Sequence, residues 1–147
     1  MKNLIEGVIK LLITKETDYA LRILRSLSKG GRISSSEICT QELIPQQFAY
    51  KILGKLAKAN LIESIRGPSG GSVLIADLNQ ITLYDLMKMV EGSDFLSPCT
   101  NPEYQCSWRN QHHSVCNVHN RLMHIQEKLN EELRKQSLHQ IIFGEEA

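Results

Sequence analysis

Along the chain, apolar residues return at helical spacing in a series of stretches, and the breaks between them carry glycine, proline and capping residues. Tyr19, Ala20, Ile23, Leu24 and Leu27 form one stripe while Arg22 and Arg25 fall elsewhere, which predicts a helix from Thr14 to Ser28. Lys29-Gly30-Gly31 closes it. Ser34 and Glu37 have the spacing of a capping box and open a short helix that ends near Leu43. A third helix starts at Pro45, a residue suited to a first helical turn. Only a few residues separate the second and third helices, the spacing of a helix-turn-helix. Ahead of all three, Leu4, Ile5, Val8, Ile9 and Leu12 predict an amphipathic extension over residues 1–12.

In the third helix, a turn of about 100° per residue gathers Ala49, Ile52, Leu53 and Leu56 on a buried face. Gln47, Tyr50, Lys51, Gly54, Lys55 and Lys58 occupy the opposite face, with Gln46 at its edge. Glutamine pairs with adenine through two hydrogen bonds in the major groove, and lysine holds phosphate. A solvated helix face that binds nothing has the same composition. The next segment changes that balance. Leu61–Arg66 and Ser72–Ala76 read as two strands around the turn Gly67-Pro68-Ser69-Gly70-Gly71. A hairpin directly after such a helix is the wing of a winged helix; the other reading is an ordinary surface hairpin. Its glycines permit close approach to a phosphate backbone, and Arg66 at the neck can enter the minor groove. The candidate DNA contacts are Gln46, Gln47, Tyr50, Lys51, Lys55, Arg66, Ser69 and Gly70.

A fourth helix is predicted from Thr82 to Glu91, with Leu83, Leu86, Met87 and Val90 inward. Residues 92–113 then lose all periodicity and hold Pro98, Pro102, two cysteines and Trp108, a long loop of the kind that carries function or stays disordered. The last predicted helix spans Ser114 to Gln136. Val115, Val118, Leu122, Ile125, Leu129 and Leu133 recur there at gaps of 3, 4, 3, 4 and 4, the pattern of a heptad seam. So long a stripe on so small a domain predicts pairing with the same helix of a second protomer; packing across its own domain is the alternative.

Composition sharpens the partner. A chain of 147 residues is long enough for one domain with a core and a helical appendage. Aromatics make up 5%, too few for a sheet that stacks single-stranded bases. The net charge is only +1, but it is unevenly spread. Residues 1–70 hold eleven Lys and Arg against six Asp and Glu, and residues 71–147 hold six against ten. A basic front and an acidic back fit a chain that touches phosphate with one part. Met1-Lys2-Asn3-Leu4-Ile5 opens like a secretory segment, but Glu6 and Lys10 interrupt it, and no stretch is apolar enough to span a membrane. The expected compartment is the cytoplasm. No phosphate-binding loop, Ser-His-Asp set or H-E-x-x-H motif points to an enzyme.

In the reducing cytosol, cysteines read as core residues, metal ligands or redox groups before they read as disulfides. Cys39 lies beside Ile38 on the short second helix and is expected in the core. Cys99, Cys106 and Cys116 cluster in sequence, and His119 follows Cys116 by three residues, on the same helix face. Three thiolates and an imidazole hold zinc tetrahedrally. Thiolates equally hold an iron–sulfur cluster with a nitrogen or oxygen ligand at the remaining position. The spacing is neither that of a zinc ribbon nor of a ferredoxin, so the metal stays open, as does a loop of three independent thiols.

Three segments carry a family resemblance: Thr17-Asp18-Tyr19-Ala20-Leu21-Arg22, the Arg66-Gly67-Pro68-Ser69-Gly70-Gly71 turn, and Ile81-Thr82-Leu83-Tyr84-Asp85-Leu86 followed by Glu91-Gly92. From about Ile13 to the last helix the chain resembles the winged-helix transcriptional regulators that include IscR, NsrR and CymR. The resemblance implies a homodimer joined by the long C-terminal helix. It also implies an iron–sulfur cluster, [2Fe-2S] or [4Fe-4S], on Cys99, Cys106 and Cys116. In IscR-like members the fourth ligand is a histidine shortly after the third cysteine, matching His119. In NsrR-like members it is an aspartate of the partner's first helix, matching Asp18. The gap from Cys106 to Cys116 is longer than is usual in the family, and members such as CymR lack the cluster and act through a protein partner.

The expected fold is therefore mainly α with a small β-hairpin wing: a winged helix-turn-helix plus a long C-terminal dimerisation helix. Its parts are an extension (residues 1–12), a DNA-binding domain (13–92), a cysteine-containing loop (93–113) and a dimerisation helix with a tail (114–147). The expected function is a sequence-specific regulator, on balance a repressor, that binds a double-stranded DNA operator with an affinity set by an iron–sulfur cluster sensing redox state, nitric oxide or iron–sulfur status. The alternative is a cluster-free or zinc-binding regulator controlled by a protein partner.

Overall fold

Each of the first three helices is set by local chemistry before any packing is considered. The computed structural model describes residues 13–144; the expected extension over residues 1–12 lies outside them. Helix α1 runs Lys15–Leu27, capped by the Thr14 side chain, which accepts from the Glu16 amide, with Glu16 and Asp18 in its positive first turn. Helix α2 runs Ser35–Glu42 and opens with the expected reciprocal Ser34–Glu37 capping box. Leu43 turns the chain in the left-handed region (φ 54°), Pro45 stands one residue ahead of the helix, and α3 runs Gln46–Lys58. The two helices meet α1 around one core. Ala20, Ile23, Leu24 and Leu27 of α1 pack with Ile38 of α2 and with Ala49, Ile52, Leu53 and Leu56 of α3, all buried. Cys39 is half-buried against this core.

One charge is buried beside the core. Glu42, 7% exposed, accepts from the Arg25 guanidinium and from Ser26 Oγ at 2.8 Å. The Arg25 hydrogen bonds hold its carboxyl below the usual carboxylate range against the opposing effect of burial, with Ser26 helping. A buried carboxylate with these partners ties α1 to the end of α2.

The hairpin forms where expected but is shorter. Strand β1 (Ile62–Ile65) pairs antiparallel with β2 (Gly71–Leu74), with Ile62 opposite Leu74 and Ile65 opposite Gly71. Leu61 belongs to the core, and its carbonyl accepts from both Ile75 and Ala76, which ends the ladder early. Ile33 bridges Ser72, fastening the hairpin to the segment before α2. Helix α4 (Leu83–Glu91) opens with a Thr82–Asp85 capping box and ends at Gly92; Leu86, Met87 and Val90 are buried, and Leu83 is half-buried against the core.

The C-terminal third departs most from expectation. Residues 92–113 are not one irregular loop: a 3-10 turn forms at Pro98–Thr100, and a short helix α5 spans Ser107–His112. The long helix α6 covers Asn117–Leu133, three residues shorter at each end than expected. Cys116 is extended and caps it, which leaves Val115 outside the helix and off the seam. At the other end the chain does not trail away. Ser137 and Gln140 form a capping box for helix α7 (Leu138–Phe143). Leu138 is fully buried in the core of the winged half, and its amide donates to Ile81 O at 2.7 Å.

Candidate nucleic-acid interface and cysteine loop

Helix α3 and the wing form one surface. An open groove runs between them, lined by Ser34, Ser35, Tyr50, Gly54, Ser64 and Pro68 among others. Gln46, Gln47, Tyr50 and Lys51 are exposed on α3, and Arg66 and Ser69 are exposed at the wing. Gln46 donates its amide to the Tyr50 hydroxyl at 3.0 Å, and the Ser35 hydroxyl lies 3.5 Å away. The Ser35 and Gln46 hydrogen bonds draw the phenol below its usual range. The Tyr50 ring is thereby held upright between the two helices of the motif.

The wing glycines answer first to the wing itself. A Cβ on Gly70 would stand 2.5 Å from Ile65 O and 2.8 Å from Gly67 O, and one on Gly71 (φ 152°) would stand 2.6 Å from Ile33 O. Arg32 reaches across and donates to Ser69 O, bracing the tip. The turn thus requires these glycines independently of the phosphate contact expected for them.

Lys51 and Lys55 sit in a setting that no local pattern signals. Both bond to Glu16 in the first turn of α1, Lys55 at 2.5 Å, and Lys55 also donates to Val90 O at the end of α4 at 2.6 Å. The hydrogen bonds from Lys51 and then Lys55 hold the Glu16 carboxyl below its usual range. One residue further along α4, a single Glu91 oxygen accepts from Thr14 N at 2.9 Å, from Thr17 Oγ1 at 2.8 Å and from Thr14 Oγ1. Helix α3, the start of α1 and the end of α4 are thus tied in one polar knot.

The three cysteines of the loop are all half-buried and free, and each sits at a different local structure. Cys99 lies in the 3-10 turn, its sulfur 3.3 Å from Ser97 Oγ. Cys106 caps α5 beside Tyr104, Arg109, Asn110 and His113. Cys116 caps α6 and accepts from the His119 amide at 3.4 Å. Among the described residues, no three His, Cys, Asp or Glu side chains converge as a ready metal site. The donor types nevertheless fit a metal or cluster. His119 Nδ1 is buried with no hydrogen-bond partner, one turn from Cys116, and a buried imidazole nitrogen left unpaired is costly unless something binds it. Asp18, the other candidate ligand, is instead paired with Arg22 at 2.9 Å.

Residues 13–143 match the Rrf2 family, described as an iron-dependent transcriptional regulator. The chain belongs to the Rrf2 family. Protein aau3 of Rhizobium meliloti is 36% identical over 89 residues, covering 59% of this chain and 58% of that protein. The HTH-type transcriptional regulator NsrR of Shouchella clausii is 31% identical over 94 residues, covering 62% of this chain and 63% of that one. The chain spans about six tenths of the length of such curated relatives. The structure of CymR, the global cysteine regulator of B. subtilis, superposes with a TM-score of 0.68 over 95% of this chain and 100% of that one, at 22% identity. The winged-helix architecture of the Rrf2 regulators is therefore the fold of this chain.

Two residues of this Rrf2 chain matter to the site and carried no sequence signal. Gln126, 4% exposed, has every polar atom engaged. It donates to Asp94 O at 2.8 Å and Asn130 Oδ1 at 2.9 Å, and accepts from Leu96 N at 2.5 Å and Thr100 Oγ1 at 3.1 Å. It pins the cysteine loop to α6. Glu16 is the other; an acid beside Asp18 in a first turn reads as a helix-dipole partner, and its lysines come from 35 and 39 residues away. Helix α7 was not expected either, although the Ser137–Gln140 spacing that starts it is a capping-box signal that could have placed it.

Proposed function

We propose that this chain is a cytoplasmic, homodimeric repressor that reads an operator with α3 and the wing, and whose DNA affinity is set by an iron–sulfur cluster on the cysteine loop. The observation that carries the DNA-binding part is the groove formed by the exposed polar face of α3 and the braced wing. Gln47 and Tyr50 face outward to base edges, Gln46 supports Tyr50, and Arg66, Ser69 and Gly70 present the wing to the flanking backbone.

Dimerisation is supported by α6. In 17 residues it buries only Gln126, while Val118 is 66% and Ile125 50% exposed. An apolar seam left half in water on a helix of that length calls for a second copy. No helix of the described residues is long and apolar enough to cross a membrane, so the seam is not a spanning segment.

Cys99, Cys106 and Cys116 would hold the cluster, with His119 favoured over Asp18 as fourth ligand by its unpartnered buried nitrogen. A bound cluster supplies metal–thiolate bonds that respond to oxidation, nitric oxide or iron loss. The chain's own residues supply the transmission. Gln126 joins the loop to α6, and the Glu91–Thr14–Thr17 and Lys55–Val90 bonds join the end of α4 to α1 and α3. Gathering the loop on a cluster would bias the spacing of two reading helices. The separation of the three thiols favours a second reading, a cluster-free or zinc-holding regulator controlled by a protein partner.

Anaerobic purification with visible spectroscopy and iron, sulfide and zinc analysis separates the two. Charge-transfer absorbance with matching iron and sulfide, abolished by joint Cys99→Ser, Cys106→Ser and Cys116→Ser, supports the cluster. A colourless protein with stoichiometric zinc, or with no metal, supports the second reading.

A further inference from the structure

The outer face of α3 carries Lys51 and Lys55, yet neither ammonium is directed at the groove beside the wing. Both converge on the one carboxylate of Glu16. The Lys55 side chain is 32% exposed and the Glu16 side chain 25%, so this pair is partly shielded from solvent, and Lys55 has a further acceptor in Val90 O. Two cations beside one anion present a single net charge to a phosphate backbone. Phosphate would have to displace Glu16 to take over Lys55, whereas Lys51, its side chain 53% exposed, keeps open donors but shares its charge with the same carboxylate, which would also repel the phosphate.

Affinity for any duplex, whatever its sequence, rises with the number of phosphates neutralised, whereas discrimination comes from base-edge contacts. Resting on the DNA-binding reading above, we infer that Glu16 is a specificity-determining residue: it masks Lys51 and Lys55, holding down sequence-independent attraction so that Gln47 and Tyr50 set the choice of site. Glu16 touches no DNA in this role. It acts by positioning two lysines that would otherwise bind phosphate indiscriminately.

The test uses the full chain and a random-sequence duplex of about 30 base pairs, long enough to cover two half-sites. Binding is titrated by fluorescence anisotropy from low to high potassium chloride. Glu16→Gln is expected to bind roughly three- to tenfold tighter at low salt, with a salt slope steeper by about 1 to 2. A second variant, Glu16→Gln with Lys51→Gln and Lys55→Gln, removes one carboxylate and two ammoniums, a net loss of one positive charge, and is expected to bring the slope back to that of the unmodified chain or to no more than about 1 below it. Melting curves check that each variant is folded. An unchanged or shallower slope for Glu16→Gln, or a triple variant whose slope falls by about 2 below the unmodified chain, overturns the inference. Failure of every form, the unmodified chain included, to bind duplex with any salt dependence would overturn the DNA-binding reading itself and this inference with it.

Discussion

Helices α3 and α6 are both long and both amphipathic in sequence, but they finish in opposite ways. In 13 residues α3 buries Ala49, Ile52, Leu53 and Leu56. In 17 residues α6 buries one side chain, and that one is a glutamine. The first helix is completed by its own chain and leaves its polar face exposed. The second keeps its apolar face uncovered and spends its one buried position on holding a loop. The contrast separates a self-sufficient half from one that, on the reading proposed above, is completed by a second copy and a cofactor.

The most severe way to break that contrast is at Leu138, where the C-terminal half enters the core of the other. Leu138→Ala should destabilise the chain by roughly 2–5 kcal/mol, read as a lowered urea midpoint. An unchanged midpoint would mean that α7 is a mere appendage. Next, Val118→Asp and Ile125→Asp should each weaken self-association by roughly 2 kcal/mol or more in sedimentation equilibrium while the melting transition persists. Loss of folding in step with dissociation would instead make the two halves one unit. Gln126→Leu strands the Leu96 amide and the Asp94 carbonyl, at a cost of roughly 1–3 kcal/mol. Hydrogen exchange should show lost protection over residues 94–100, with α3 unaffected. Thr82→Ala removes one side of a capping box and should cost about 1 kcal/mol in the thermal melt.

The smallest effect concerns acid. Because the Glu42 carboxyl titrates below the usual range when folded, its contribution is fully present above the ordinary carboxylate range. It fades as pH falls through the lowered folded value. Glu42→Gln should flatten that limb of a stability–pH profile, whereas the uncovered seam of α6, which holds no such group, should leave it unchanged.

The winged half was legible because its elements are specified locally. The Ser34–Glu37 box, Pro45 ahead of α3, and the stripes of α1 and α3 each satisfy their own backbone or bury their own face, so spacing alone locates them. The Gly70 and Gly71 requirement was legible as flexibility but not in its cause, which is contact with Ile65 O and Ile33 O. The C-terminal third was harder. Helix α5 has no buried residue and hence no stripe to read. The end of α6 depends on a capping box at Ser137 that competes with continuing the helix. The candidate site divides in the same way. Outward-facing Gln47 and Tyr50 follow from periodicity. The pairing of Lys51 and Lys55 with Glu16, and of Gln126 with the loop, depends on long-range approach that no local pattern encodes.

The anchoring of Leu138 has a mechanical consequence. Helix α6 is held near its middle, where Gln126 binds the cysteine loop, and beyond its end through Leu138 and the Ile81 carbonyl. The Arg134 guanidinium lies 3.8 Å from the centre of the Tyr84 ring as an additional fastening. A beam held at its middle and beyond one end does not swing like a free lever. It rolls about its own axis or bows, and either movement is short. On the dimeric reading proposed above, a signal that travels through α6 would be delivered as a small rotation shared by two protomers, and a fusion partner attached after residue 144 would load the Leu138 anchor.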